Sequence, residues 1–183
     1  MRIVSGIYGG RRLAVPKGRD IRPTSDKVRG AVFNMLRSRG AAEGAQVMDV
    51  FCGTGALGLE ALSQGAAFCT FIDKNRDSFN LARQNVTTLG AENESRFILK
   101  DATKLGQRPE DIAPATLAFL DPPYKMNLAI PALIALQGGG WLAEGAVVVI
   151  EAEKGFNEPF PPSFKVVDTR SYGDTQVMLV LMH

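Results

Sequence analysis

The strongest constraint on this chain is an alternation of two periods. From Gln46 onward, short apolar runs of strand length alternate with segments of helix length. Residues 47–51, 67–72, 95–99, 117–120 and 146–150 read as strands; residues 56–64, 75–89 and 126–137 read as helices. Gly90 supplies the stop after the second of these helices. Strands joined through helices must run parallel, so this rhythm implies an α/β sheet wrapped by helices. The tail breaks the rhythm. Residues 164–169 and 176–181 read as strands joined by Ser171-Tyr172-Gly173-Asp174, with no helix between, and should pair antiparallel at the sheet end.

The N-terminal segment differs again. Residues 2–7 and 11–15 read as two short strands around Tyr8-Gly9-Gly10, a hairpin signal. A helix should follow over residues 26–39, capped by Thr24 or Ser25, with Val28, Val32, Met35 and Leu36 on one face. Gly30 weakens that helix. Residues 1–39 carry ten Lys or Arg against Asp20 and Asp26, a charge of +8, although the whole chain is only +2. A basic arm on an acidic body suits a polyanion. The implied division is a basic, polyanion-binding arm over 1–39 and an α/β domain over 40–183. Arg2, Arg11, Arg12, Lys17, Arg22 and Arg29 are its candidate phosphate contacts.

Several chemistries are excluded. His183 is the single histidine and the last residue of the sequence, a poor place to fix a catalytic imidazole. Cys52 and Cys69 with one histidine do not make a tetrahedral zinc site or a disulfide framework, so no metal is expected. The first residues lack the apolar core of a signal peptide. The uncharged run 126–143 is broken by Asn127, Pro131, Gln137 and three glycines, and reads as a core helix plus loop. A reducing, cytoplasmic setting without membrane attachment is expected. Chemistry must come from carboxylates, backbone, a tyrosine or a cofactor.

Four strands finish near an acid: Asp49, Asp73, Asp101 and Asp121. Ligands of open α/β sheets bind beyond the carboxyl ends of strands, so these acids should ring one crevice. Asp49 precedes Gly53, Gly55 and Gly58, where a tight loop exposes backbone N–H groups at a helix start. That spacing also satisfies a dinucleotide fingerprint, with Asp73 placed for a ribose, so a nicotinamide dehydrogenase is one reading. Asp121-Pro122-Pro123-Tyr124 adds a second motif. Two prolines stiffen this corner. Asp121 and the Pro122 carbonyl can accept both N–H bonds of an exocyclic amine, while Tyr124 stacks on the base.

Together the glycine loop and this corner resemble the class I S-adenosylmethionine-dependent methyltransferases that modify amino groups of bases. Arg2-Ile3-Val4-Ser5-Gly6, Gly10-Arg11-Arg12-Leu13, Arg22-Pro23-Thr24, Phe33-Asn34-Met35-Leu36 and residues 55–62 narrow the resemblance. They are similar to the bacterial 16S ribosomal RNA guanine-N2 methyltransferases of the small subunit, over nearly the whole chain. Cys52 and Gly30 depart from the pattern expected of that family. The resemblance implies a Rossmann-like fold of seven strands, mostly parallel, with the last antiparallel. It assigns Gly53 and Gly55 to the amino-acid part of S-adenosylmethionine, Asp49 to its ammonium and Asp73 to its ribose. Asp101 and the Ala102 N–H would meet the adenine. The substrate would be 16S RNA in the 30S particle or a late assembly intermediate, with no obligate protein partner. A DNA amino-methyltransferase and a non-catalytic RNA-binding assembly factor are the competing readings.

Overall fold

The computed structural model describes residues 1–18 and 25–183. The candidate contact Arg22 and the candidate cap Thr24 lie outside the described residues. The chain forms α1 (Asp26–Ser38), β1 (Gln46–Val50), α2 (Ala56–Ser63), β2 (Phe68–Asp73), α3 (Arg76–Leu89), β3 (Ser95–Leu99) and β4 (Ala115–Leu120). Then come α4 (Ala129–Gly138), β5 (Leu142–Glu153), β6 (Phe164–Tyr172) and β7 (Thr175–Met182).

The seven strands form one sheet in the order β3-β2-β1-β4-β5-β7-β6. β1 pairs parallel with β2 and β4, and β5 parallel with β4. β7 runs antiparallel to both β5 and β6. From β1 the chain first builds outward through β2 and β3, then returns to place β4 on the other side. This reversal opens a crevice at the carboxyl ends of β1 and β4. Val50 and Leu120 are register partners there, so the loops that follow them are neighbours.

Strand alternation divides the core in two. Val47, Phe119, Val149 and Val177 face α1, α2 and α3; Met48, Leu120, Ile150 and Met178 face α4. The arm belongs to the first layer. Ile3, Leu13, Val28, Val32, Phe33 and Leu36 are buried in it, and the Phe33 and Phe119 rings lie 5.6 Å apart. Residues 1–39 thus differ from the rest in charge while sharing its core.

Several elements depart from their sequence reading for identifiable reasons. The hairpin is a single antiparallel bridge, Arg2 with Arg12, rather than two strands. Its turn bonds to α2 instead: the Ile7 N–H donates to the Ser63 carbonyl and the Tyr8 N–H to Ser63 Oγ, both at 2.9 Å. α4 begins at Ala129 because Lys125 and Asn127 adopt positive φ (64° and 52°), which no helix continues. Pro131 then falls in its first turn, where no N–H is missed. β5 is longer than its apolar stretch. It continues past Ile150 because β7 supplies partners, pairing Val177 with Glu151 and Thr175 with Glu153. α1 takes Ser25 as its cap, with Oγ accepting from the Val28 N–H at 3.2 Å. No helix among the described residues is long and apolar enough to cross a membrane.

Candidate active site

The loop after β1 is shaped by three bonds that its backbone N–H groups donate. The Cys52 N–H donates to the Ile72 carbonyl at 2.8 Å, tying the loop to β2. The Gly53 N–H donates to Asp73 Oδ2 at 3.0 Å, and the Gly55 N–H closes a turn on the Cys52 carbonyl at 2.8 Å. Phe51 enters this loop at φ 60°, a conformation costly for a bulky residue that clusters at ligand sites. Gly53 (φ 53°) has open space where a Cβ would stand. At Gly58 the requirement is different: a Cβ would lie 2.5 Å from the Phe71 ring and 2.7 Å from Cys69 Sγ. Its lack of a side chain lets α2 sit down on β2.

The carboxylates are held by backbone. Asp49 is 1% exposed, and its Oδ2 accepts from the Gly58 N–H at 2.9 Å in the first turn of α2. Burial pushes its pKa up to about 8; the Gly58 bond opposes this, and the charge of Asp73 adds to it. Asp73 accepts from Gly53 through Oδ2 and from the Asn75 N–H through Oδ1 at 2.9 Å, which fixes its plane. Asp101 caps a 3-10 turn, Ala102–Lys104. Its Oδ1 accepts from the Thr103 hydroxyl at 2.7 Å and the Thr103 N–H at 2.9 Å, leaving Oδ2 for a ligand. Those bonds hold its carboxyl below the usual range.

The double-proline corner leaves β4 beside this loop. Pro122 is buried and Pro123 exposed. The Tyr124 hydroxyl and Thr175 Oγ1 are 2.8 Å apart, so β7 anchors the ring. Asp49, Gly53, Asp73, Asp101, Ala102, Asp121, Pro122 and Tyr124 all line one cavity of about 870 Å³. This is the size of a small-molecule site. Gly55, expected among them, stands behind the wall: a Cβ there would meet Ala82 and Phe71 at 3.3 Å. Its contribution is the turn itself.

The basic arm divides. Arg2, Arg11, Arg12 and Lys17 are exposed. Arg2 donates to the Gly10 carbonyl at 3.1 Å and Arg11 to the Thr88 carbonyl at 2.8 Å. Arg29 is not a surface contact. It is fully buried, bonds Asp26 at 2.7 Å and the Arg2 carbonyl, and lies 3.7 Å from Glu60. Glu60 in turn accepts the Val4 N–H at 2.8 Å and the Ser5 N–H at 3.2 Å. Arg29 therefore locks the first residues of the arm, Arg2 to Ser5, between α1 and α2. Lys27, two residues earlier, faces outward and lines the cavity. Positions two apart on a helix point to nearly opposite sides.

Glu151 and Thr175 also line the cavity, and sequence reasoning passed over both. Glu151 had a signal: it is a fifth acid one step beyond an apolar strand. Thr175 had none, since only the pairing of β7 against β5 brings it here.

The strand order, the antiparallel β7 and a cleft between glycine loop and proline corner define a class I S-adenosylmethionine-dependent methyltransferase. The chain belongs to the family described as conserved hypothetical protein 95, whose model matches residues 1–181. Ribosomal RNA small subunit methyltransferase D of Escherichia coli (strain K12) is 38% identical over 154 residues, 84% of this chain and 75% of that protein. The protein of the same name from Haemophilus influenzae is 32% identical over 155 residues, 84% of this chain and 79% of its own. A candidate methyltransferase of Escherichia coli, yhhF, superposes with a TM-score of 0.85 at 33% identity, covering 100% of this chain and 97% of that one. An RNA methyltransferase from Salinibacter ruber, solved with S-adenosyl-L-homocysteine, shares the fold at TM-score 0.65 and 20% identity, covering 88% and 94%.

Proposed function

We propose that this protein transfers a methyl group from S-adenosylmethionine to the exocyclic N2 amine of a guanine in 16S ribosomal RNA. One observation carries the reading: Asp121-Pro122-Pro123-Tyr124 lines the same cavity as Gly53, Asp73 and Asp101. The relatives named as small-subunit ribosomal RNA methyltransferases support RNA over DNA. The resemblance supplies the guanine.

The cavity fits the cofactor on its own chemistry. The open space at Gly53 lets a ligand lie against backbone. Asp73, held by two N–H groups, retains lone pairs for paired hydroxyls, and Asp101 Oδ2 with the Ala102 N–H suits an adenine edge. Asp49 at the cavity floor suits an ammonium. S-adenosylmethionine, when bound, supplies an electrophilic methyl carbon on a sulfonium.

The N2 lone pair of guanine is delocalised into its ring and is a poor nucleophile. Asp121 and the Pro122 carbonyl accept its two N–H bonds and aim that lone pair at the methyl carbon. Tyr124 stacks on the base, its ring held by Thr175. Orientation of this kind contributes several kcal/mol. Asp121 also stabilises the positive charge that develops on nitrogen. Asp121 acts as positioner and electrostatic partner, with the N2 proton lost late. The target base leaves its stack to reach the corner. Arg2, Arg11, Arg12 and Lys17 hold the RNA backbone, and the shape of a 30S particle or late assembly intermediate directs the choice of site.

Asp121→Ala tests the reading against a non-catalytic assembly factor. Methyl transfer to 30S particles should fall by about 10³-fold or more, with binding of RNA and of S-adenosylmethionine retained. Retained transfer would contradict it.

A further inference from the structure

We propose that Glu151 selects guanine by accepting the N1–H of the target base, beside the N2 amine held at Asp121 and the Pro122 carbonyl. The proposal rests on the guanine reading above and assigns the residue that reads the base.

The placement follows from register. Leu120 of β4 and Ile150 of β5 are parallel partners, so Asp121 and Glu151 are the next residue on each of two adjoining strands. Adjacent strands stand about 4.8 Å apart. Val149 faces the layer with α1 to α3 and Ile150 the layer with α4, so alternation turns Glu151 to the first layer again. Val177, its partner on β7, faces that layer too. Thr175 lies two residues along β7, and its hydroxyl fixes Tyr124 at 2.8 Å. The stacking ring and the Glu151 carboxyl are thus set by the same pair of strands. Glu151 lines the main cavity and also a smaller one of about 240 Å³ behind the proline corner, so it stands where the two meet. It is only 8% exposed.

The chemistry of the base completes the inference. Guanine presents N1–H and the N2 amine side by side, all donors. Two adjacent carboxyl groups and a carbonyl present only acceptors. A purine with a lone pair at N1 would set that lone pair against a carboxylate, with no N–H between them. A site built to accept a substrate N–H rejects the analogue lacking it strongly, by up to about 10⁴-fold.

The test uses the full chain and 30S particles reconstituted with guanine or 2-aminopurine at the target position. 2-Aminopurine keeps the N2 amine but carries a lone pair at N1. Wild-type protein should prefer guanine by about 10²-fold or more in single-turnover methyl transfer. Glu151→Gln can turn an amide N–H toward N1. It should lower the guanine rate, raise the 2-aminopurine rate and cut the preference at least tenfold, with S-adenosylmethionine affinity unchanged. Glu151→Ala removes the acceptor and the repulsion without adding a donor, and should cut the preference by lowering the guanine rate and raising the 2-aminopurine rate less than Glu151→Gln does. An unchanged preference in both variants would overturn the role of Glu151 and leave the guanine reading standing. Failure of the wild-type protein to methylate guanine would overturn both.

Discussion

At Asp49, burial and chemistry pull in opposite directions. Burial, which raises its pKa to about 8, favours the neutral acid, whereas the proposed ammonium partner favours the carboxylate. The unfolded group loses its proton near pH 4. Between about 4 and 8 the folded chain therefore holds a proton that the unfolded chain has released. Stability should fall across that window by this group's share and be flat on either side. Asp49→Asn should remove the slope in denaturant midpoints measured against pH. Bringing an ammonium to Asp49 should expel the proton near pH 7. Calorimetric titration with S-adenosylmethionine in two buffers of different ionisation heat should then give different apparent enthalpies, and the difference should vanish in Asp49→Asn. Equal heats in wild type would contradict the assignment. At this scale the sequence was informative where a residue type has one use, as with the four strand-end acids. It misled at Arg29, because positive charge reads as surface unless the burying Glu60, distant in the chain, is known.

At the scale of elements, α1 shows how neighbouring positions carry opposite consequences. Arg29 is buried in an ion-pair network, so Arg29→Ala leaves Glu60 buried beside a void and should cost about 3–5 kcal/mol. Gly30, next to it, faces ordinary space. A Cβ there would lie 3.8 Å from Val4 Cγ1. Gly30→Ala should therefore stabilise by about 0.5–1 kcal/mol through helix propensity. Thermal unfolding of the two variants checks both signs, and a destabilising Gly30→Ala would mean the helix is strained there. Element type was readable from Gln46 onward because apolar periods there are long and distinct, but not in the N-terminal hairpin, whose two expected strands are a single bridge. Boundaries were not, wherever a partner strand or a positive φ decided them, as at Lys125 and Asn127 before α4 and along β5.

At the scale of the molecule, the charge of the arm and the packing of the arm serve different ends. Its apolar residues and Arg29 bind it to the sheet, while Arg2, Arg11, Arg12 and Lys17 face outward. If those four meet phosphates, log K for RNA should fall against log salt with a slope of roughly 3. Arg11→Ala combined with Arg12→Ala should reduce the slope by about 1.4. An unreduced slope would place the RNA elsewhere. The parallel sheet and its antiparallel finish were legible from strand and helix rhythm alone. The strand order that brings the loops of β1 and β4 together is a tertiary fact, and so is the presence of Glu151 and Thr175 in the same cavity. The most direct test of methyl transfer to guanine N2 uses labelled S-adenosylmethionine, unmodified 30S particles and the full chain, followed by nuclease digestion and mass mapping. The predicted product is a single N2-methylguanosine in 16S RNA; a label found on adenine or cytosine, or on DNA and not on the particles, would contradict it.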